Sequence, residues 1–118
     1  MLSVEEDCVF CQVIAKKLPS RMEYEDDEIA VFWDINPQAP IHLLIVPKKH
    51  VRNVSEFTEE DSHLMCKMFL TAKKMAHKFG LSEKGFRLVV NEGKDSGQSI
   101  FHVHMHLLSG RRLMWPPG

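Results

Sequence analysis

Apolar residues recur along this 118-residue chain with two periods, one typical of helices and one typical of strands. Intervals of three and four residues place the apolar positions of 8–14 and of 58–79 on single helix faces. Period-two or continuous apolar runs predict five strands, at 21–25, 28–33, 41–46, 86–90 and 100–108. Strand hairpins followed by a long helix and further strands are typical of the α+β class. We therefore predict one domain over 1–118, an antiparallel five-stranded sheet with one short N-terminal and one long central helix.

Residues that favour helix ends mark the limits of both helices. Asp7 is placed to cap the first helix through its carboxylate. Thr58 and Asp61 form a capping-box pattern at the start of the long helix, and Gly80 is a natural C-terminal stop. Cys66 lies within the apolar pattern of that helix, so we expect it in the core.

Composition excludes several classes of protein. The formal net charge of −1 gives no electrostatic reason to bind nucleic acid or an anionic membrane. No apolar run approaches the roughly 20 residues that span a bilayer. The acidic segment 1–7 lacks the basic flank and apolar stretch of a signal peptide. We therefore expect a cytoplasmic protein, with the nucleus as a further location.

Three histidines, His102, His104 and His106, alternate strictly with apolar residues over 101–107. On a strand they would share one face, with Cα atoms about 6.5–7 Å apart. Burying three imidazoles side by side is costly unless they are hydrogen-bonded or bound to a ligand. Three interpretations follow: a solvent-facing edge strand, a three-histidine zinc site, or nucleophilic attack on phosphorus by a neutral imidazole.

The loop before these histidines, 91–99, favours the last interpretation. It offers main-chain N–H groups, an amide and hydroxyls, which are donors suited to phosphate oxygens. A glycine-bearing loop alone is weak evidence, but beside the histidines it indicates phosphoryl chemistry.

The run His102–Leu108 resembles the histidine triad signature H-φ-H-φ-H-φ-φ, in which φ is apolar. Five further segments are similar to the Hint branch of that superfamily, the histidine triad nucleotide-binding proteins: Asp34–Pro40, Val46–His50, Val90–Gly93, Gly97–Ser99 and Trp115–Gly118. These matches occur in order over nearly the whole chain. The tryptophan-proline tail favours this branch over the dinucleoside-polyphosphate hydrolases.

The resemblance implies a homodimer that hydrolyses purine nucleoside phosphoramidates through a nucleotidyl-histidine intermediate. His104 would be the nucleophile, His106 would contact the phosphate and leaving group, and His42 would orient and polarise His104. Ser99 would help to protonate the departing amine. The remaining nucleotide contacts would come from Asp34 at the ribose, Asn91, Gln98 and Ser99 at the phosphate, and Phe10, Val13, Phe32 and Ile35 at the base. Val13 and Ile35 have an equally good interpretation as plain core.

Many histidine triad proteins also carry a structural zinc, and their ligand pattern matches Cys8, Cys11, His50 and His102. A closed Cys2His2 set is typical of structural zinc. The alternative is that Cys8 and Cys11 merely line the pocket.

Two alternatives to the phosphoramidase remain. A dinucleoside polyphosphate hydrolase or nucleotidyltransferase could use the same His104 intermediate. A regulatory or scaffold protein could bind nucleotides without relevant turnover. We expect the dimer contact on the remaining apolar face of the long helix and on the tail, with Trp115 directed toward the partner.

Overall fold

A single five-stranded antiparallel sheet organises the chain, in the order β1-β2-β3-β5-β4. The computed structural model describes residues 7–118, so segment 1–6, where no signal peptide was expected, lies outside the described residues. The elements are α1 (Val9–Ile14), β1 (Met22–Glu25), β2 (Ile29–Trp33), β3 (Ile41–Pro47), α2 (Ser62–Lys78), β4 (Arg87–Val89) and β5 (Met105–Ser109). The predicted α+β class, the five strands and both helices are confirmed.

The two helices cover opposite faces of the sheet, because β2 and β3 are apolar on both sides. Ile29 and Val31 pack with Met68 and Met75 of α2. The alternate residues of the same strands pack with α1, in a second core made up of Cys8, Phe10, Cys11, Val13, Ile14, Ala30, Phe32, Leu44 and Val46. Since side chains alternate across a strand, continuous apolar runs are what a sheet covered on both faces requires.

The capping box predicted for the long helix is present, but it precedes a 3-10 turn over Glu59–Asp61, and α2 itself begins at Ser62. The Thr58 side chain and the Asp61 carboxylate form both halves of a capping box ahead of α2, and Gly80 follows its end with a φ of +66°. A left-handed φ favours glycine, which has no Cβ to clash. Within the described residues 7–118, no helix combines the length and apolar character needed to cross a membrane.

Three expectations about local structure are wrong. Cys8, not Asp7, caps α1, since its Sγ accepts the N–H of Cys11 over 3.3 Å. Cys66 is exposed, because it lies on the side of α2 opposite the core residues. The last strand begins at Met105 rather than at Ile100, so His102 and His104 precede it.

Candidate active site

The candidate catalytic histidines lie on the α1 side of the sheet. His106 of β5 is paired in register with Leu44 of β3, and His42 lies two residues before Leu44. His104 is directly ahead of β5. A cavity of about 670 Å³ opens here. Its lining includes every residue that the sequence assigned to catalysis or nucleotide binding: Phe10, Val13, Phe32, Asp34, Ile35, His42, Asn91, Gln98, Ser99, His104 and His106.

The three triad histidines face the α1 side, where Phe10 packs against both His102 and His104, but only His106 lies on a strand. His104 and His106 are neighbours, with ring centroids 4.9 Å apart. The His102 ring instead joins Cys8, Cys11 and His50. Main-chain pairing before β5 is made with the segment after β3, where the Val103 N–H donates to the Val51 carbonyl. Side chains in this segment before β5 still alternate between the two sides of the sheet, although the segment is not part of β5, as the sequence had predicted.

His104 has the geometry of a neutral nucleophile. Its Nδ1 lies 2.8 Å from the main-chain carbonyl of His102, and since a carbonyl only accepts, Nδ1 carries the proton. The lone pair is therefore on Nε2. The Phe10 ring packs edge-on against the imidazole, with centroids 5.0 Å apart. Burial lowers the pKa of His104, which keeps the ring neutral at neutral pH.

His42 contacts His106, not His104 as the resemblance implied. His42 Nε2 lies 2.9 Å from His106 Nδ1 and 3.4 Å from Asp34 Oδ2. Burial lowers the pKa of His106 to about 4, and the neighbouring His104 and His42 add to this shift. Burial also lowers the pKa of His42, against the attraction of Asp34. The three imidazoles around the cavity are thus uncharged at neutral pH.

The loop over 91–99 is held by the side chain of Gln98. Its Oε1 accepts the Gly93 N–H over 2.9 Å, and its Nε2 donates to the carbonyls of Arg52 and Ile100. The amide of Gln98 therefore shapes the loop, where the sequence suggested a direct nucleotide contact. Ser99 is exposed and lines the cavity, so its hydroxyl is accessible to a ligand.

Four potential metal ligands, Cys8, Cys11, His50 and His102, lie close to one another. The Nδ1 of His102 lies 3.3 Å from Cys8 Sγ, 3.5 Å from Cys11 Sγ and 3.2 Å from His50 Nδ1. Metal–ligand bonds of about 2.0–2.3 Å at tetrahedral angles require ligand atoms about 3.3–3.8 Å apart. The separations from the two cysteine sulfurs lie within this range, and the 3.2 Å separation from His50 is just below it.

The tautomer of His102 also suits a metal. Its Nε2 donates to the Pro47 carbonyl over 2.7 Å, so the lone pair is on Nδ1, directed into the cluster. Burial lowers the pKa of His102 to about 4, and a neutral imidazole is the form that binds metal. Two cysteines, two histidines and this tautomer fit a structural zinc.

The comparisons with known proteins agree with the geometry. A family model described as the HIT domain matches residues 15–113. The chain belongs to the HIT domain family. An uncharacterized HIT-like protein of Synechocystis is 44% identical over 113 residues, covering 96% of this chain and 98% of that protein.

Solved structures confirm the HIT-like fold. A HIT family hydrolase from Legionella pneumophila Philadelphia 1 superposes with a TM-score of 0.93 at 46% identity, covering 95% of this chain and all of that one. A HIT family hydrolase from Clostridium thermocellum gives a TM-score of 0.91 at 43% identity, covering 94% of this chain and 96% of that one.

Sequence reasoning missed several residues of this HIT site. Val9, Leu18, Trp33 and Gln38 line the cavity beside the residues that were expected there. The helical period could have found Val9, which lies one turn before Val13 on α1. No comparable pattern marks Leu18 or Gln38, because both lie in irregular segments whose path only the fold determines.

Proposed function

We propose that this protein is a purine nucleoside phosphoramidate hydrolase of the Hint branch. The observation that carries the proposal is the state of His104, a buried neutral imidazole whose Nδ1 proton is held by the His102 carbonyl. Its Nε2 lone pair is then available to attack phosphorus. The histidine triad run and the tail Trp115–Gly118 support the choice of branch.

The proposed reaction has two displacements. His104 Nε2 attacks the phosphorus, the P–N bond breaks, and the amine leaves after gaining a proton with help from Ser99. A nucleotidyl-histidine remains. Water then attacks the same phosphorus, the histidine–phosphorus bond breaks, and a nucleoside monophosphate and free His104 result. Dividing the hydrolysis in this way replaces one difficult step by two easier ones. Acid assistance is needed because an amine is a poor anionic leaving group.

The rest of the cavity suits the nucleotide. Asp34 follows β2, is partly exposed and lines the cavity, and in this proposal it would accept hydrogen bonds from ribose hydroxyls. Phe10 and Phe32 pack edge-to-face at 5.3 Å and form an apolar wall for the base. Ile35 is 97% exposed, which fits a residue that covers a bound base and does not fit the alternative of plain core.

We further propose that zinc occupies the cluster of Cys8, Cys11, His50 and His102. The metal would supply no chemistry, because four protein ligands leave it no open position. It would tie α1 to the segments that follow β3 and precede β5.

Turnover of a fluorogenic adenosine phosphoramidate by wild type and His104→Ala tests the catalytic proposal. We expect a loss of at least about a thousandfold, since the nucleophile of the covalent step is removed. His77→Ala, which changes an exposed histidine of α2, is the matched control. Mass spectrometry of wild type quenched in alkaline denaturant should show the adenylyl adduct, because a histidine–phosphorus bond survives base but breaks in acid.

Equal rates for wild type and His104→Ala would contradict the mechanism. A dinucleoside polyphosphate assayed in parallel distinguishes the substrate classes. Faster turnover of that compound than of the phosphoramidate would contradict the assignment to the Hint branch while leaving the role of His104 intact.

A further inference from the structure

The main-chain N–H of Gln38 determines which nitrogen of His42 carries a proton. It donates to His42 Nδ1 over 3.0 Å. A main-chain amide can only donate, so Nδ1 must present its lone pair. A neutral imidazole has one proton, and in His42 that proton is therefore on Nε2.

The proton on His42 determines the tautomer of the next ring in the same way. His42 Nε2 is 2.9 Å from His106 Nδ1, closer than its 3.4 Å separation from Asp34 Oδ2. Donation along the shorter contact makes His106 Nδ1 an acceptor and leaves the His106 proton on Nε2. We propose that Gln38 is a positioning residue whose main-chain N–H, acting through His42, fixes His106 as an Nε2–H donor toward the phosphate and leaving group.

The two neighbouring imidazoles of the site are thus held in opposite tautomers by different main-chain groups. A carbonyl, that of His102, holds the proton of His104 on Nδ1. An amide, that of Gln38, places the proton of His106 on Nε2 through one relay ring. One ring offers a lone pair and the other offers a proton, although their centroids are only 4.9 Å apart. This difference in tautomer explains how a nucleophile and a hydrogen-bond donor can lie side by side.

The same hydrogen bond disfavours metal at a second cluster. Asp34, His42 and His106 also bring ligand atoms within 4.8 Å of one another. Binding a metal through His42 Nε2 would place the ring proton on Nδ1, facing the Gln38 N–H. Two donors would then oppose each other, at the cost of a buried hydrogen bond. At His102 the main-chain partner is a carbonyl, so the tautomer there favours metal instead.

The loop that carries Gln38 is fixed from several sides. The Arg111 Nε donates to the Gln38 carbonyl over 3.0 Å. Gly110 has a φ of +96° and approaches Pro40 so closely that a Cβ would lie 2.8 Å from the proline Cβ. The Asn36 N–H donates to the Asp34 carboxylate over 2.8 Å. Because these contacts constrain the loop, the Gln38 N–H is oriented before any ligand binds.

Gln38→Pro removes the N–H, and Gln38→Ala, which keeps it, is the matched control. The protein is labelled with ¹⁵N-histidine and loaded with zinc, the metal proposed for the Cys2His2 cluster. Two-bond ¹H–¹⁵N spectra, recorded without substrate, then report the tautomer of each histidine ring. Rings are assigned from His42→Asn and His106→Asn. We expect Nε2–H at His42 and His106 in wild type and Gln38→Ala, and a mixture of tautomers at both rings in Gln38→Pro.

The kinetic consequence rests on the proposed function, whereas the spectra do not. We expect kcat on the phosphoramidate to be about tenfold lower in Gln38→Pro than in Gln38→Ala, with KM within about twofold, as the loss of one hydrogen bond predicts. If circular dichroism shows that Gln38→Pro is unfolded, an ester in place of the 37–38 peptide bond, made in Gln38→Ala, removes the N–H instead. A proton on Nδ1 of His42 or His106 in wild type, or unchanged tautomers without the N–H, would overturn the inference.

Discussion

At the scale of single residues, burial decides the protonation of the candidate catalytic histidines. Burial lowers the pKa of His106 to about 4, below the value of about 6.5 for a free imidazole. A lowered pKa means that the neutral, active ring persists as the pH falls from 7 toward 5. Burial also lowers the pKa of His104 and of His42. We therefore expect kcat/KM to fall less between pH 7 and pH 5.5 than an unshifted histidine would allow, with a midpoint below about 6.5.

The measurement is a pH profile of initial rates, corrected for acid hydrolysis of the substrate in buffer alone. An unshifted histidine would lose about tenfold over the same interval, because it would be about nine-tenths protonated at pH 5.5. A fall of that size with a midpoint near 6.5 would contradict the buried, neutral state of the site. Two substrates with different leaving amines should give the same profile if protein groups control it.

The sequence brought these residues together but did not give their partners. The family resemblance assigned His42, His104 and His106 to one site, and all three line the same cavity. It did not show that His42 contacts His106, because that contact depends on the register that pairs Leu44 with His106 across two strands. Nor could it show the role of Gln38, which acts through a main-chain N–H that every residue except proline possesses.

At the scale of elements, Asp26 stabilises the turn between β1 and β2. Burial opposes its ionisation, but the N–H groups of Glu28 and Ile29, the Tyr24 hydroxyl and Lys67 together lower the pKa of its carboxyl to about 2. The unfolded value is near 3.8. The ionised carboxylate therefore contributes about 2 kcal/mol of stability above pH 4, which is lost as the pH falls toward 2.

Asp26→Asn should lower the free energy of unfolding by about 1–2 kcal/mol at pH 7. The difference from wild type should shrink as the pH is lowered from 4 to 2. Urea unfolding at several pH values measures both effects. The exposed neighbour Asp27, changed in Asp27→Asn, is the control and should shift the unfolding free energy by less than about 0.5 kcal/mol. A loss at pH 7 that is unchanged at pH 2.5 would show that the charge is not its source.

Two glycines separate the cost of a left-handed backbone from the cost of a close contact. Gly110 and Gly85 have nearly equal φ values of +96° and +97°, but only Gly110 has Pro40 against it. Gly85→Ala should cost about 1 kcal/mol from strain alone, and Gly110→Ala about 2–3 kcal/mol. Chemical denaturation of both variants measures the difference. Equal losses would mean that Pro40 moves without cost and that this loop is less constrained than proposed.

The helices and strands were largely predictable from the sequence, and the errors in predicting their bounds and burial have physical causes. Both faces of β2 and β3 are apolar, which their sequences state directly. The predicted start of β5, at Ile100, is too early. Apolar and polar residues still alternate through His102 and His104, but the main chain there pairs with Val51, which is not in a strand. Cys66 lies within the apolar pattern of the long helix, which suggested that it is buried. Such a pattern defines the buried face of a helix only approximately, and Cys66 lies outside that face.

At the scale of the whole molecule, the Cys2His2 cluster joins segments that are distant in the chain. Cys8 and His102 are 94 residues apart, and their ligand atoms lie within 3.3 Å. Protein purified without chelator should contain about one zinc per chain, and chelation should lower Tm by about 10 °C. Cys11→Ser should lose the metal, whereas Cys66→Ser, on the exposed side of α2, should keep it. Less than a tenth of an equivalent of zinc in wild type would contradict the proposal.

Assembly into a homodimer would cover apolar groups that the single chain leaves exposed. Phe69 and Leu70 of α2 are 59% and 56% exposed, and Trp115 in the tail is 79% exposed. In the part of the chain that the structure describes, β4 pairs only with β5, so its other edge is open to a second copy.

We expect sedimentation equilibrium to give twice the chain mass of 13.6 kDa. Leu70→Glu should shift the protein toward monomer, because it would bury a carboxylate in the contact. Val54→Glu changes an apolar side chain of similar exposure, 46%, at a different surface and should leave the dimer intact. A wild-type mass of 13.6 kDa at the highest concentration tested would show that these groups are exposed for another reason.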